Sequence, residues 1–252
     1  MLVAELSSSH QFRVTDTPPV SDPGPGQIQV AVKAVGVCGS DLHYFSDGGI
    51  GDARCLYPMV LGHEPAGVVL KTGPGVSGWS AGDRAVLEPA LYCYHCEFCM
   101  TGRHNVCANI RFMSMPDEPG FFRELVNLPA RNLLPLAKTL SDAEGALAEP
   151  LAVILHSMHL AAPRPGETAA VFGAGPIGLL TIAMLKLSGV GRIWSVEPVA
   201  ARRELARVMG ADVVIDPSAT DPVREILHDS SKRGVDIAID CAATGDTINQ
   251  CV

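Results

Sequence analysis

The sequence predicts an α/β protein of two unlike halves: a β-rich, barrel-like domain over residues 1–150 and an incomplete, doubly wound parallel sheet over 151–252. Three observations predict it. Short alternating apolar runs separated by Gly/Pro turns fill the first 140 residues; strand-like and helix-like segments alternate in the last third; and a G-x-G-x-x-G turn, Gly173 to Gly178, joins the first strand and helix of that third. At 252 residues, 47% hydrophobic and 18% charged, the composition is that of a soluble globular protein with core enough for one large or two ordinary domains. A net charge of -8 disfavours a nucleic-acid partner. The start, MLVAELSSSH, has neither a basic segment nor a sustained apolar one, so no signal peptide and a cytoplasmic location are expected. The longest uncharged run, Ala169 to Leu185, is interrupted by GAGPIG, and no membrane partner is expected.

Taken in order, the turn-rich stretches SDPGPGQ, KTGPGVSGWSAGD and MPDEPG bound short strands such as Gln27 to Lys33, where Ile28, Val30 and Val32 share a face. At Ser141 the texture changes. Ser141 and Glu144 form a capping box that opens a helix, which Pro150 is expected to break while itself starting a second one. On that reading Glu149 is a carboxylate free of regular helix geometry. Then follow a strand at AAVF, a helix at IGLLTIAMLKLSG, a strand at RIWSVE and a helix at AARRELARVMG. A strand at DVVID, a helix around Val223 to Ser230 and a strand at VDIAIDCA complete four of the six strands of a dinucleotide-binding sheet. The chain ends inside a further expected helix, after TGDTINQCV.

Gly173, Gly175 and Gly178 follow a strand and open a helix, the context in which this pattern binds a dinucleotide. The first glycine permits the tight turn, the second admits the pyrophosphate and the third lets helix and strand pack. The helix N-terminus that opens at Pro176 and Ile177 offers its free N–H groups, Pro176 having none, to the phosphates. Glu197 stands nineteen residues after Gly178 at a strand end, where a carboxylate accepts ribose hydroxyls and repels a 2′-phosphate. That favours NAD over NADP, with Arg202 and Arg203 close enough to soften the repulsion.

Four of the eight cysteines fall in C-x2-C-x2-C-x7-C spacing at Cys93, Cys96, Cys99 and Cys107. In a reducing compartment such a cluster predicts a closed tetrahedral zinc site with no position for substrate. His95 and His104 lie within it but are read as surface histidines. Chemistry must then lie elsewhere. Cys38, His63 and Glu64 can offer S, N and O donors to a second zinc with a fourth position open, and Glu149 is a further carboxylate candidate. Cys55, Cys241 and Cys251 are read as packing or surface thiols.

Taken together, CGSDLHYF, PMVLGHEPAG, the four-cysteine lobe, AEPLAVILHS and GAGPIG occur in an order that resembles zinc-dependent medium-chain alcohol dehydrogenases along the whole chain. HisTyrPhe after CGSD, GlyGlyIleGly before ProMetValLeuGlyHisGlu, and GluPro at 149–150 resemble the polyol branch of sorbitol, xylitol and idonate dehydrogenases. In the primary-alcohol enzymes a cysteine takes the position of Glu149. The resemblance implies a GroES-like catalytic domain followed by a Rossmann domain, two zinc ions per chain, and hydride transfer from a secondary alcohol of a polyol or sugar acid to NAD. By matched position, Cys38, His63 and Glu64 are implied catalytic-zinc ligands, with Glu149 either a direct ligand or a partner of the zinc-bound water. Asp41 is implied to orient His63, Ser40 and His43 to relay the proton, and Tyr44 and Phe112 to line the substrate pocket. Ile177, Glu197 and Arg202 match positions that hold the adenosine half of NAD. Family members are homo-oligomers whose last two strands complete the sheet, so a chain ending at Val252 is expected to carry an open sheet edge. Two alternatives remain at this level: a threonine or butanediol dehydrogenase, and a zinc- and NAD-binding fragment without turnover. The zinc-free quinone reductases lack the thiolate lobe and are disfavoured.

Overall fold

Turn residues cut the N-terminal half into short strands that pair antiparallel. The computed structural model describes residues 1–252 and divides into two units, Met1–Glu149 and Pro150–Val252. In chain order the first holds β1 (Leu2–Ser8), β2 (Gln11–Asp16), β3 (Gln27–Gly36), α1 (Gly39–Asp47), the short pair β4 (Gly49–Ile50) and β5 (Ala53–Arg54), β6 (Glu64–Thr72) and β7 (Arg84–Leu87). Then come β8 (Ala90–Leu91), α2 (Glu97–Met100), β9 (Arg111–Phe112), β10 (Leu125–Pro129), β11 (Leu133–Pro135) and α3 (Asp142–Ala146). Five strands form one antiparallel sheet in the order β10-β3-β6-β7-β11. Ile28 and Val30 of β3 enter a core with Val69, Leu87, Phe121 and Leu128, as their alternation predicts. Gln29 is buried too, because β3 is a central strand, and its amide donates to the Ser21 carbonyl at 3.1 Å. The pairing of β3 with β6 ends at Gly36 opposite Glu64. That register brings the Cys38 segment beside His63 and Glu64, across 25 residues of chain from Cys38 to His63.

The second half runs through α4 (Ala148–Ala161), β12 (Thr168–Phe172), α5 (Pro176–Leu187), β13 (Arg192–Val196) and α6 (Ala200–Met209), then β14 (Val213–Ile215), α7 (Pro222–Asp229), β15 (Ile237–Asp240) and α8 (Gly245–Gln250). All pairs in the sheet are parallel, in the order β14-β13-β12-β15. Alternation along β12 serves both faces: Ala169 and Val171 pack with Ile182 and Leu185 of α5, while Ala170 and Phe172 pack with Trp194 and Ile226. This two-sided burial is why these strands read as continuous apolar runs.

One expected boundary is corrected. The Ser141 capping box is present, with Ser141 Oγ accepting from Glu144 N at 3.2 Å. But the helix it opens ends at Ala146, and α4 starts at Ala148, so Glu149 lies inside a helix and Pro150 does not break one. A proline in the first turn removes an N–H that has no intrahelical acceptor and therefore costs nothing there.

The start of β12 is tied to the segment before β15 by one carboxylate. Asp236 Oδ2 accepts from Thr168 N and Thr168 Oγ1, both at 2.8 Å, and Asp236 pairs with Arg233. The Arg233 guanidinium, with the Thr168 bonds, holds this carboxyl well below its ordinary value of 3.8. A depressed carboxyl contributes stability that is present above the unfolded value and lost as pH falls below it. Asp236→Asn is therefore expected to melt below the wild type at pH well above 3.8, with the gap closing on acidification. Melting curves across that range check it, and a gap independent of pH would contradict it.

Candidate metal centres and dinucleotide loop

Backbone turns bring the four lobe cysteines together. Cys96 caps the four-residue α2, which carries Cys99, and a single 3-10 turn at His104–Val106 leads into Cys107. Their sulfurs all lie within 4.8 Å of one another. The S···S separations are 3.5 Å for Cys93–Cys107 and 3.9 Å for both Cys93–Cys99 and Cys96–Cys107. A tetrahedral zinc with bonds of about 2.3 Å has S···S edges of about 3.8 Å, so the cage has the size that zinc needs. Backbone amides point at the sulfurs: Cys96 N and Cys93 N donate to Cys93 Sγ and Cys107 Sγ, each at 3.4 Å. With the His95 backbone N–H as the largest cause, such bonds pull the Cys93 thiol down to about 5, whereas burial pushes Cys99 up to about 12. His95 and His104 stay outside the cage; His95 Nδ1 bonds the Cys93 carbonyl and His104 packs against Tyr92 and Tyr94.

The second cluster joins Cys38, His63 and Glu64, again within 4.8 Å. Cys38 is the N-cap of α1, and His63 and Glu64 stand at the entry of β6. Gly36 is indispensable to this arrangement, since a Cβ on it would overlap the Glu64 carboxylate. The His63 hydrogen bond lowers the Cys38 pKa against its burial, with help from Ser40. Burial opposes charging His63, yet the Cys38 bond and the charges of Asp41, Cys38 and Glu149 outweigh it and raise the imidazole. Burial raises Glu64, opposed by His63 and Cys38. An S, N and O donor set of three leaves a tetrahedral metal one open position. Glu149 does not join the cluster; burial raises its pKa, and the charges of Glu64 and Glu88 add to that against His63.

In the second unit each glycine of Gly173-x-Gly175-x-x-Gly178 has a distinct geometric duty. Gly173 has φ 90°, a Cβ on Gly175 would meet nothing within 4 Å, and a Cβ on Gly178 would overlap the Gly173 carbonyl oxygen. A tight turn, an open approach and a close helix–strand contact are the three features a bound pyrophosphate requires here. Pro176 is the first residue of α5 after the N-cap Gly175.

Comparison with known proteins decides the family. Residues 24–138 match the alcohol dehydrogenase GroES-like domain and residues 176–252 the zinc-binding dehydrogenase family. The chain is 35% identical over 242 residues to sorbitol dehydrogenase of Bacillus subtilis (strain 168), covering 96% of this chain and 68% of that enzyme. It belongs to the zinc-containing medium-chain alcohol dehydrogenases. It is also 36% identical over 248 residues to the probable D-xylulose reductase A of Emericella nidulans, covering 97% of this chain and 69% of that one. Among solved structures, a zinc-binding dehydrogenase of Sinorhizobium meliloti 1021 bound to NADP superposes with a TM-score of 0.88 at 33% identity, covering 99% of this chain and 72% of that one. No helix is long and apolar enough to cross a membrane. The antiparallel sheet of the first unit is the GroES-like domain of this family, and the parallel sheet is a partial Rossmann domain.

Around these sites the chain distributes its other candidate residues unevenly. Asp41 is buried behind the second cluster; Oδ2 accepts from Cys38 N at 3.0 Å and Oδ1 stands 3.8 Å from His63 Nδ1. Phe112 packs its ring 5.6 Å from the His63 imidazole. Tyr44 is enclosed with Leu6, Met59 and Leu61, and its hydroxyl donates to Met115 Sδ at 3.4 Å, so it is a core side chain. Ser40 and His43 do not bond each other, and the exposed His43 pairs with Asp47 at 2.8 Å. Glu197 is buried, and its carboxylate accepts from Ala174 N at 2.7 Å and Val199 N at 2.9 Å. Arg203 is committed to the Glu197 and Pro198 carbonyls and to Asp216, whereas Arg202 and Ile177 are exposed. Sequence reasoning missed Gly36, Ser114 and Met115. Gly36 lies two residues before Cys38 and so was open to suspicion; nothing in the pattern marks the other two.

Proposed function

We propose that this chain carries the metal and dinucleotide sites of a zinc- and NAD-dependent polyol dehydrogenase, which transfers hydride from a secondary alcohol of a polyol or sugar acid to NAD. The observation that carries the reading is the three-donor cluster of Cys38, His63 and Glu64, open at one position, in the same unit as a closed four-thiol cage. In this reading Cys93, Cys96, Cys99 and Cys107 hold a structural zinc, while Cys38, His63 and Glu64 hold the catalytic one. When bound, the zinc supplies Lewis acidity toward the substrate hydroxyl and NAD supplies the hydride acceptor.

Everything else falls to the chain's own groups. Glu149 is the base we favour for the hydroxyl proton, because burial makes it more basic than an ordinary carboxylate and His43 is paired with Asp47 rather than with Ser40. His43, exposed and paired with Asp47 at 2.8 Å, belongs to the other relay, through Ser40. Phe112, beside His63, gives the carbon skeleton an apolar wall, and Tyr44 supports that wall from behind through Met115. Gly173, Gly175, Pro176, Ile177 and Gly178 hold the pyrophosphate. The buried Glu197 carboxylate repels a 2′-phosphate, and with Arg203 occupied only Arg202 is free to offset it, which favours NAD.

The test is NADH formation by the zinc-loaded chain offered sorbitol, xylitol, idonate, threonine and butanediol. Turnover with a polyol or idonate is expected; turnover confined to threonine or butanediol would move the chain to those secondary-alcohol enzymes. Zinc and NAD bound without any turnover would make it a binding module. Glu149→Ala should lower kcat by about 10²-fold or more while leaving NAD affinity within about twofold. Equal loss of both would make Glu149 a structural residue.

A further inference from the structure

The stretch from Phe112 to Met115 meets the second metal cluster and the residues of α1 beside it. Phe112 packs on His63, Ser114 bonds Asp41, and Met115 accepts from Tyr44. Ser114 stands out on two independent grounds. Its backbone has φ 80°, a region that L side chains rarely enter, and its side chain is buried at 3% exposure. Glycine would adopt that backbone freely, so the conformation alone gives no reason for a serine.

The hydroxyl gives the reason. Ser114 Oγ donates to Asp41 Oδ1 at 3.3 Å, the same oxygen that accepts from Gly62 N at 3.2 Å and faces His63 Nδ1 at 3.8 Å. Asp41 Oδ2 takes the Cys38 N–H at 3.0 Å. One buried carboxylate thus ties together the turn carrying Cys38, the turn carrying His63 and Glu64, and the Ser114 loop. The amides of Cys38 and Gly62 both belong to segments that carry metal donors, so neither fixes the carboxylate from outside. Ser114 does, because its loop carries no metal donor and is anchored at Pro89, whose carbonyl accepts from Met113 N at 3.0 Å, and braced internally by Ser114 N donating to the Glu118 carbonyl at 2.9 Å. Strained residues persist where the surroundings over-determine them, and at such places the strain serves a site.

We propose that Ser114 is a positioning residue for the second metal centre, holding the Asp41 carboxylate at the angle from which it orients His63 and the Cys38 turn. The proposal rests on the reading of Cys38, His63 and Glu64 as zinc ligands. Groups behind a metal's ligands set ligand orientation, and losing one weakens metal binding by about 10–100-fold. Ser114 acts one bond further out, so a loss of about tenfold is expected.

The experiment separates hydroxyl from backbone. With zinc filling the four-cysteine lobe, Co(II) is titrated into the second site against a chelator and read by its d–d and thiolate charge-transfer bands. Ser114→Ala removes the hydroxyl and keeps the strain; Ser114→Gly removes both, and melting temperatures will separate the two variants. Both are expected to lose Co(II) affinity by a similar factor and to show altered bands, whichever melts higher. Unchanged affinity in both, or a loss in only one, would overturn the proposal, the latter by assigning the effect to the backbone. In an Asp41→Asn background Ser114→Gly should add no further loss, and a fully additive loss would also overturn it. If the wild-type chain takes up no Co(II) beyond the lobe, the zinc-ligand reading falls, and this proposal with it.

Discussion

Replacing Cys107 with serine is expected to remove one of two zinc equivalents and to leave residues 93–107 without fixed structure, while the five-stranded sheet of the first unit still melts cooperatively. The lobe has almost no core to fall back on. Of its side chains Cys99 and Cys107 are buried, whereas Met100 and Val106 are exposed at 73% and 49%. Its helix is four residues long, far below what is stable alone, and no lobe residue belongs to the sheet core around Ile28, Val69 and Phe121. Zinc binding to structural sites of this kind is worth about 10–16 kcal/mol in small peptides, as much as the whole net stability of a typical domain at about 5–15 kcal/mol. A hydroxyl in place of one thiolate forfeits most of it. Metal analysis with amide hydrogen exchange checks the outcome at Cys96, Met100 and Cys107, whose N–H groups bond within the lobe. Wild-type protection in the metal-poor variant would mean that bonds such as Cys107 N to the His104 carbonyl hold the lobe unaided. Cys55→Ser is the control, since the Cys55 thiol belongs to neither cluster and bonds the Tyr44 carbonyl, so both metals should stay in place.

The two halves differed in how much of them could be read from the sequence, and the difference is physical. In the parallel sheet every strand is local to its helix and the inner strands β12 and β13 are buried on both faces, so runs such as AAVF and RIWSV declare themselves, and Gly173 to Gly178 carry their duties in their spacing. In the antiparallel unit, pairing is non-local. That Gly36 faces Glu64, and that Cys38 thereby meets His63, follows from a register set over whole strands, so only resemblance to a family could bring those three donors together beforehand. Glu197 shows a different limit. Its position at a strand end announced a carboxylate near a ribose, but not that Ala174 N and Val199 N already occupy its oxygens. The helix boundary beside Glu149 was not legible because a proline in the first helical turn has the same sequence signature as a breaker. Ser114 left no trace at all, since a left-handed serine has no compositional signature.

Gly178→Ala is expected to destabilise the second unit by more than the about 1–3 kcal/mol of ordinary core overpacking and to abolish dinucleotide binding with it. The added methyl would overlap the Gly173 carbonyl oxygen and lie 2.9 Å from Gly173 C, and backbone cannot rotate away as a side chain can. Nor can Gly173 retreat. Its N–H bonds the Val196 carbonyl at 2.8 Å, a Cβ built on it would come within 3.0 Å of Ala242 N, and the next amide is latched to Glu197. The strain must therefore move α5, whose Ile182 and Leu185 are fully buried against β12. Gly175→Ala tests the same turn without that damage: φ is -71° and nothing lies within 4 Å of the new methyl, so the melting temperature should stay at the wild-type value. Yet the methyl would stand in the space a pyrophosphate needs, and NAD affinity should fall at least about tenfold, a loss of about 1.4 kcal/mol. Calorimetric titration with NAD beside thermal melts separates the two effects. Wild-type NAD affinity in the Gly175 variant would show that this open space is not where the phosphates sit, and would reduce the glycine pattern to the packing duty that Gly178 performs.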